Sequence, residues 1–337
     1  MKSGSRSSRR MPISKSDLCV FITCGDPSGI GPEIVLKALK HPRIRSIQRL
    51  VVIGDRSVLR RTERKTGISL PRQVSFIDLH NVPEKGFRFG KISPAFGRAA
   101  FEYIQEAIRL LKSKRNGILV TAPIHKESLQ KGGIDFPGHT EMLRDLTGVK
   151  KVNMMFIGKH FRISFATWHV SMRELASALS PTKVLDAVIF LNDALRLYFS
   201  KKHPRLAVCA LNPHAGEGGL FGDEEKRVIG PALRAAKRLG MRVEGPLPAD
   251  SLFYQAYRRG YDGIVAMYHD QGLIPFKMIE RDIGVNVTLG LPFLRTSPDH
   301  GTAFDIAGKN RADPRSMIEA ITVGYTMALR GRFGKRP

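Results

Sequence analysis

The chain has 337 residues, 42% of them hydrophobic, enough for one large domain or two of ordinary size. No apolar run approaches the ~20 residues that span a bilayer, which argues against a helical membrane protein. The net charge of +25 favours anionic partners, but Lys and Arg are spread over segments such as RIRSIQR, RRTERK and KSKR. With no Cys/His finger, RNP-like motif or basic-region heptads, a solvated basic surface and a small anionic substrate explain the charge better than specific nucleic-acid binding.

The opening MKSGSRSSRRMPISKS is basic and Ser-rich without an apolar centre, so residues 1–15 read as a disordered tail and not a secretory signal. LCVFIT (18–23) is strand-like and leads through GDPSGIGPE into a helix near IVLKALK. That Gly-rich segment fits neither GxGxxG nor a Walker motif. Pro32 suits a first helical turn, and the segment is expected to be a tight strand-to-helix turn lining a cleft. RLVVIGD and QVSFID follow as strands. A helix is predicted from Ser93 to Lys112, with Phe101, Ile104, Ile108 and Leu111 at helical spacing. GILVTAP, VNMMFIG, FRISFAT, RLAVCAL and GIVAMY supply further strands, with helices near 182–199 and 221–239 between them.

Apolar strands alternating with helices predict an α/β fold around a mostly parallel sheet, and this length favours two α/β layers sharing a cleft over one overgrown sheet. Chemistry in such folds gathers just beyond the carboxyl ends of strands. His169 follows FRISFAT, His214 follows RLAVCAL, and His269 follows GIVAMY. A lone histidine there is usually a cap or core residue. Three at equivalent strand ends form a candidate metal site, with Asp250 and Asp270 as carboxylates that could coordinate or orient them. Read alone, His269-Asp270 is equally a helix cap, a ligand pair or an acid–base couple.

Gly138-His139-Thr140-Glu141 stands at a predicted helix start, where backbone N–H groups favour an anion. Lys277, Asn286 and Arg295 follow in segments that read as strand ends or loops. Arg295 suits a bidentate grip on phosphate or carboxylate, with Lys277 adding a point charge. The turn-rich segment TSPDHGTAFDIAGKNRADP is too apolar at Phe304, Ile306 and Ala307 for a free linker and reads as a binding loop. Cys19, Cys24 and Cys209 are too scattered for a disulfide framework and suit the cytoplasm.

Together, TCGDPSGIGPEI, VTAPIHKESL, FPGHTEML, LNPHAGEGGLFGDEE, GPLPADSLF, MYHDQGLIPFK and GVNVTLGLPFLRTSPDHGTAFDIAGKN resemble the 4-hydroxythreonine-4-phosphate dehydrogenase (PdxA) family, in order, from about Cys19 to Ala328. The resemblance implies an isocitrate/isopropylmalate dehydrogenase-like fold of two α/β/α domains with a cleft between them. Residues 16–135 with 300–337 would form the first domain, and 136–299 the second, with the metal site and the interface of a homodimer. It implies a divalent metal (Zn, Mg or Co) on His169, His214 and His269, shared between subunits. His139, Thr140, Lys277, Asn286 and Arg295 would hold the substrate, and His300 and Gly301 would lie at the NAD or NADP. The implied reaction oxidises 4-phosphohydroxy-L-threonine to 2-amino-3-oxo-4-phosphooxybutanoate. That product decarboxylates to 3-amino-2-oxopropyl phosphate, in vitamin B6 synthesis.

The general base stays open between a metal-bound water, Lys277 and His139. TWHVSMREL departs from the family's usual TTHLPL-like reading while keeping His169. A paralogue acting on 4-phospho-threonate or an erythronate phosphate is the nearest alternative. A nucleic-acid-binding protein is the alternative from another class.

Overall fold

The computed structural model describes residues 15–113, 116–258 and 260–331, so the expected tail lies outside the described residues except for Lys15. The elements alternate as the sequence predicts. In the first half come β1 (Cys19–Thr23), α1 (Gly31–Leu39), α2 (Pro42–Arg45), β2 (Leu50–Gly54), α3 (Arg56–Thr66), β3 (Ser75–Asp78), α4 (Pro94–Ser113), β4 (Gly117–Thr121) and α5 (Lys126–Lys131). Next are α6 (His139–Thr147), β5 (Asn153–Ile157), β6 (Arg162–Phe165), α7 (Leu175–Ala178), α8 (Pro181–Tyr198), β7 (Arg205–Cys209), α9 (Gly230–Arg238), β8 (Arg242–Leu247) and α10 (Ala249–Tyr257). The chain closes with β9 (Gly263–Ala266), α11 (His269–Glu280), β10 (Val285–Leu289), β11 (Leu294–Pro298) and α12 (Arg315–Arg330).

Local chemistry accounts for the borders. Asp55 caps α3 by accepting from the backbone N–H of Ser57 and Val58, and Gly67 ends that helix in the left-handed conformation at φ 70°. In α4, Phe96, Ala100, Tyr103, Ile104, Ala107 and Leu111 make the buried stripe, while Phe101 is half-buried and stacks on Phe136. β1, β4, β5, β9 and β11 are buried along their whole length, as strands covered on both faces must be.

The strands join in the order β3-β2-β1-β4-β11-β10-β5-β6-β9-β7-β8. One continuous sheet therefore runs through what the sequence suggested as two layers. The three pairs at its centre, β11 with β10, β10 with β5 and β5 with β6, are antiparallel, and the outer pairs are parallel. The antiparallel centre is where the chain returns, and there β11 pairs with β4 on one side and β10 on the other. A second, aromatic core around Phe156, Phe161, Phe165 and Phe276 seats α10 and α11 on one face of the second half. Helix α11 comes unusually close to the sheet at Gly272, where a Cβ would stand 2.6 Å from the Phe165 ring.

Candidate active site

A cleft of about 340 Å³ opens where β4, β11 and β10 meet the start of α6 and one side of α11. Nine of the ten residues proposed from the sequence line it: His139, Thr140, His169, His269, Lys277, Asn286, Arg295, His300 and Gly301. Of the full set, only His214 stands away from it.

Arg295 is the central feature at one end. It lies on β11, 2% exposed, and its partners are hydroxyls: Nη2 and Nε donate to Thr121 Oγ1 at 2.7 and 3.2 Å, and Nη1 to Thr288 Oγ1 at 3.1 Å. Among the described residues no carboxylate pairs with it directly. Burial pushes the guanidinium down to about 9, partly offset by the charge of Glu141, so it stays cationic at neutral pH. His139, at the first turn of α6, has its ring held neutral by burial and then by repulsion from Arg295. Four buried atoms of this lining lack any hydrogen-bond partner: His139 Nε2, Glu141 Oε2, Asn286 Oδ1 and Asp299 Oδ2. Native interiors rarely leave such groups unpaired, and several together at one cleft mark a place built for a polar guest.

Lys277 differs from its sequence reading. It sits inside α11, not in a loop, and pairs with Asp299 at 3.2 Å. Gly272 and Pro275 make this segment look irregular in sequence, yet both lie inside the helix, and Gly272 is needed there for close approach to Phe165. Asn286 and Arg295 lie within β10 and β11, not beyond them.

At the other end, His169 and His269 face each other with ring centroids 6.3 Å apart. The Nδ1 of His269 is 2.6 Å from Asp270 Oδ1, and that of His169 is 3.5 Å from Glu141 Oε1. Glu141 also accepts from the indole N–H of Trp168 at 2.9 Å. Burial pushes Glu141 up, but the His169 ring and the Trp168 N–H outweigh it and hold the carboxyl down to about 2. With Nδ1 of each ring engaged by a carboxylate, Nε2 is left for a ligand, the arrangement typical of metal-binding histidines.

His214 follows β7, which neighbours β9 in the sheet, so the three histidines do leave adjacent parallel strands. It is exposed, however, at the head of a run from His214 to Gly218 with φ of 51°, 55°, 79°, 43° and 71°, its ring 6.3 Å from Phe221. Non-glycine residues cost roughly 1–2 kcal/mol each in that region, and such strain concentrates at functional positions. Among the described residues of one chain, no three His, Cys, Asp or Glu side chains gather closely enough to hold a metal. Asp250 lies exposed on α10 and does not line the cleft.

GDPSGIGPE does not line the cleft either. It packs against the loop between β11 and α12, with Ile30 N–H donating to Thr302 O at 3.0 Å. Sequence reasoning also passed over Glu141 as a functional group, although GHTE includes it; its burial and its contact with Trp168 are visible only in three dimensions.

The profile of the pyridoxal phosphate biosynthetic protein PdxA matches residues 44–324. The chain belongs to the PdxA family. It is 45% identical to D-threonate 4-phosphate dehydrogenase from Cupriavidus necator, over 92% of this chain and 97% of that one. It is 41% identical to 4-hydroxythreonine-4-phosphate dehydrogenase from Geobacter metallireducens, over 94% and 98%. The crystal structure of a 4-hydroxythreonine-4-phosphate dehydrogenase from Burkholderia phymatum superposes with a TM-score of 0.78 at 41% identity, covering 94% of this chain and 99% of that one. The PdxA family resemblance and the mixed α/β fold around a large sheet are thus both found, and the chain is a dehydrogenase of this family. No helix among the described residues is long and apolar enough to cross a membrane.

Proposed function

We propose that the cleft oxidises the secondary hydroxyl of a four-carbon acid carrying a terminal phosphate, 4-phosphohydroxy-L-threonine first among them. The single observation behind this reading is Arg295, a buried cation with hydroxyl partners only, at the closed end of a cleft lined by unpaired polar atoms. A buried charge with no directly paired counter-ion is costly, and a phosphate dianion would supply one. Thr140 and the first N–H groups of α6 complete the anion seat. Lys277 and Asn286 would orient the remaining oxygens.

The donor set at the other end fits a divalent metal such as Zn, Mg or Co, because both rings present Nε2 while carboxylates hold Nδ1. One chain supplies two such rings. The outward, strained setting of His214 supports a site completed across a homodimer by His214 of the partner subunit. At the cofactor side a Cβ on Gly301 would meet nothing within 4 Å, which leaves the backbone open to a nucleotide beside His300. When bound, the metal would supply Lewis acidity at the reacting hydroxyl, and NAD or NADP would supply the hydride acceptor. The chain's own part is to fix the phosphate at Arg295, keep the His139 ring neutral beside it, and hold His169 and His269 in one orientation. We place this chemistry in the cytoplasm, whose reducing conditions suit three buried cysteines with no disulfide.

A second reading, D-threonate 4-phosphate as substrate, is favoured by the 45% identity to a dehydrogenase of that name. Steady-state kinetics with each phosphorylated acid, each nicotinamide nucleotide and a chelator-treated control decides the matter. Turnover of 4-phosphohydroxy-L-threonine that chelation abolishes is the expected result. Turnover of the threonate phosphate alone establishes the second reading, and turnover of neither sinks both.

A further inference from the structure

The GDPSGIGPE segment, which neither binds phosphate as a Walker loop nor lines the cleft, holds both ends of the loop between β11 and α12. Near the start of that loop, Ile30 N–H donates to Thr302 O, and Gly29 lies so close that a Cβ there would stand 3.0 Å from Thr302 Cβ. Near its end, Glu33, 2% exposed, accepts from the backbone N–H of Ala312 at 2.8 Å and pairs with Lys37 at 2.8 Å. Lys37 Nζ then donates to the carbonyls of Ala312 at 2.8 Å and Asn310 at 3.3 Å. One ion pair on α1 thus grips the loop by an N–H and two C=O groups. The loop needs holding, since Ala303, Gly308 and Asn310 all have left-handed φ, of 39°, 71° and 57°. Its cleft-facing residues, His300 and Gly301, directly precede Thr302.

We propose that Glu33 and Lys37 are positioning residues for the cofactor: α1 is the template that sets the 299–314 loop in its nucleotide-receiving shape. This rests on the reading that His300 and Gly301 face the nicotinamide nucleotide. The pair touches no residue of the anion seat or the histidine end, so its loss should act on one ligand and spare the other.

The test uses Lys37→Met and the double variant Glu33→Gln/Lys37→Met, which removes both charges without stranding a buried one. Three quantities are read in the full-length protein: amide hydrogen exchange at Ile30 and Ala312, the Kd of NADH and NADPH from their own fluorescence, and KM for each substrate. The expectation is faster exchange at Ala312 and a cofactor Kd and KM raised about tenfold. Substrate KM and kcat at saturating cofactor should stay within about twofold, and Lys37→Arg should restore cofactor binding. Unchanged exchange overturns the proposal alone, because the loop is then held without the pair. Faster exchange with unchanged nucleotide affinity overturns it together with the assignment of the cofactor to His300 and Gly301.

Discussion

Two charges in this protein are buried to the same depth and treated in opposite ways. Glu280 closes α11 at 1% exposure and Arg295 sits on β11 at 2%. Glu280 is fully answered by the backbone: Oε2 accepts from Lys159 N–H at 2.7 Å, and Oε1 from His160 and Phe161 N–H at 2.5 and 3.2 Å. Gly158 leaves the necessary room, since a Cβ there would fall 2.3 Å from the carboxyl carbon. Arg295 has three bonds to two threonine hydroxyls and no carboxylate beside it. The lesson is that burial alone does not distinguish scaffold from site. A satisfied buried charge is a rivet, fixing α11 and with it His269 and Lys277, while an under-compensated one is, on the function proposed above, where a ligand of opposite sign would bind.

The contrast is broken most forcefully at the rivet. Glu280→Ala strands the buried N–H of Phe161 and the partly buried N–H groups of Lys159 and His160, and since a stranded buried donor costs roughly 1–3 kcal/mol the unfolding free energy should fall by about 3 kcal/mol in total. Glu280→Gln can still accept at one oxygen but turns an amide N–H toward a backbone N–H, and should lose about half as much. Denaturant melts of the two variants measure this. A loss under ~1 kcal/mol for Ala would mean that the hairpin between β5 and β6 does not depend on the carboxylate.

Arg295→Met should do the reverse. Removing a cation that the empty fold pays to bury leaves thermal stability undiminished, since apolar replacement of buried charge is often neutral or stabilising by ~1–4 kcal/mol. If Arg295 holds the phosphate as proposed, charge-assisted bonds to the substrate go with it, and kcat/KM should drop by about 10²–10³. A variant that is both inactive and unstable would show that Arg295 is structural and dissolve the comparison.

The same pair shows what the sequence could reveal. The order of strands and helices was legible because both periodicities are strong, as in Phe96 to Leu111 and in the unbroken apolar runs of β1 and β4. Thr140, Lys277, Asn286 and Arg295 were legible as polar residues in an apolar setting and through the family resemblance. That Lys277 is helical was hidden, because Gly272 and Pro275 mask the α11 pattern and only the contact with Phe165 explains the glycine. Nor could spacing show that His214 turns away from its own cleft, since that depends on five successive left-handed residues. Nothing in the local pattern singles out Glu33, Glu141 or Glu280, because burial and partner identity are properties of the fold.

Asp26 lies between the two extremes and sharpens the scale. Its Oδ1 accepts from Ser28 N–H at 2.9 Å, while Oδ2 is buried with no partner. Burial, against the smaller pull of the serine hydrogen bonds, raises its pKa to about 6. The sign follows directly: between the ordinary value of 3.8 and about 6 the folded state holds the extra proton, so this group lowers stability as pH rises through that window. Asp26→Asn keeps the bond from Ser28 and removes the charge. It should therefore stabilise the protein by at most ~3 kcal/mol at pH 7, with the gain fading to nothing below about pH 4. Paired melts at the two pH values measure it. A gain that persists at low pH would assign the effect to packing, and a loss at pH 7 would make the Asp26 charge a structural one of the Glu280 kind.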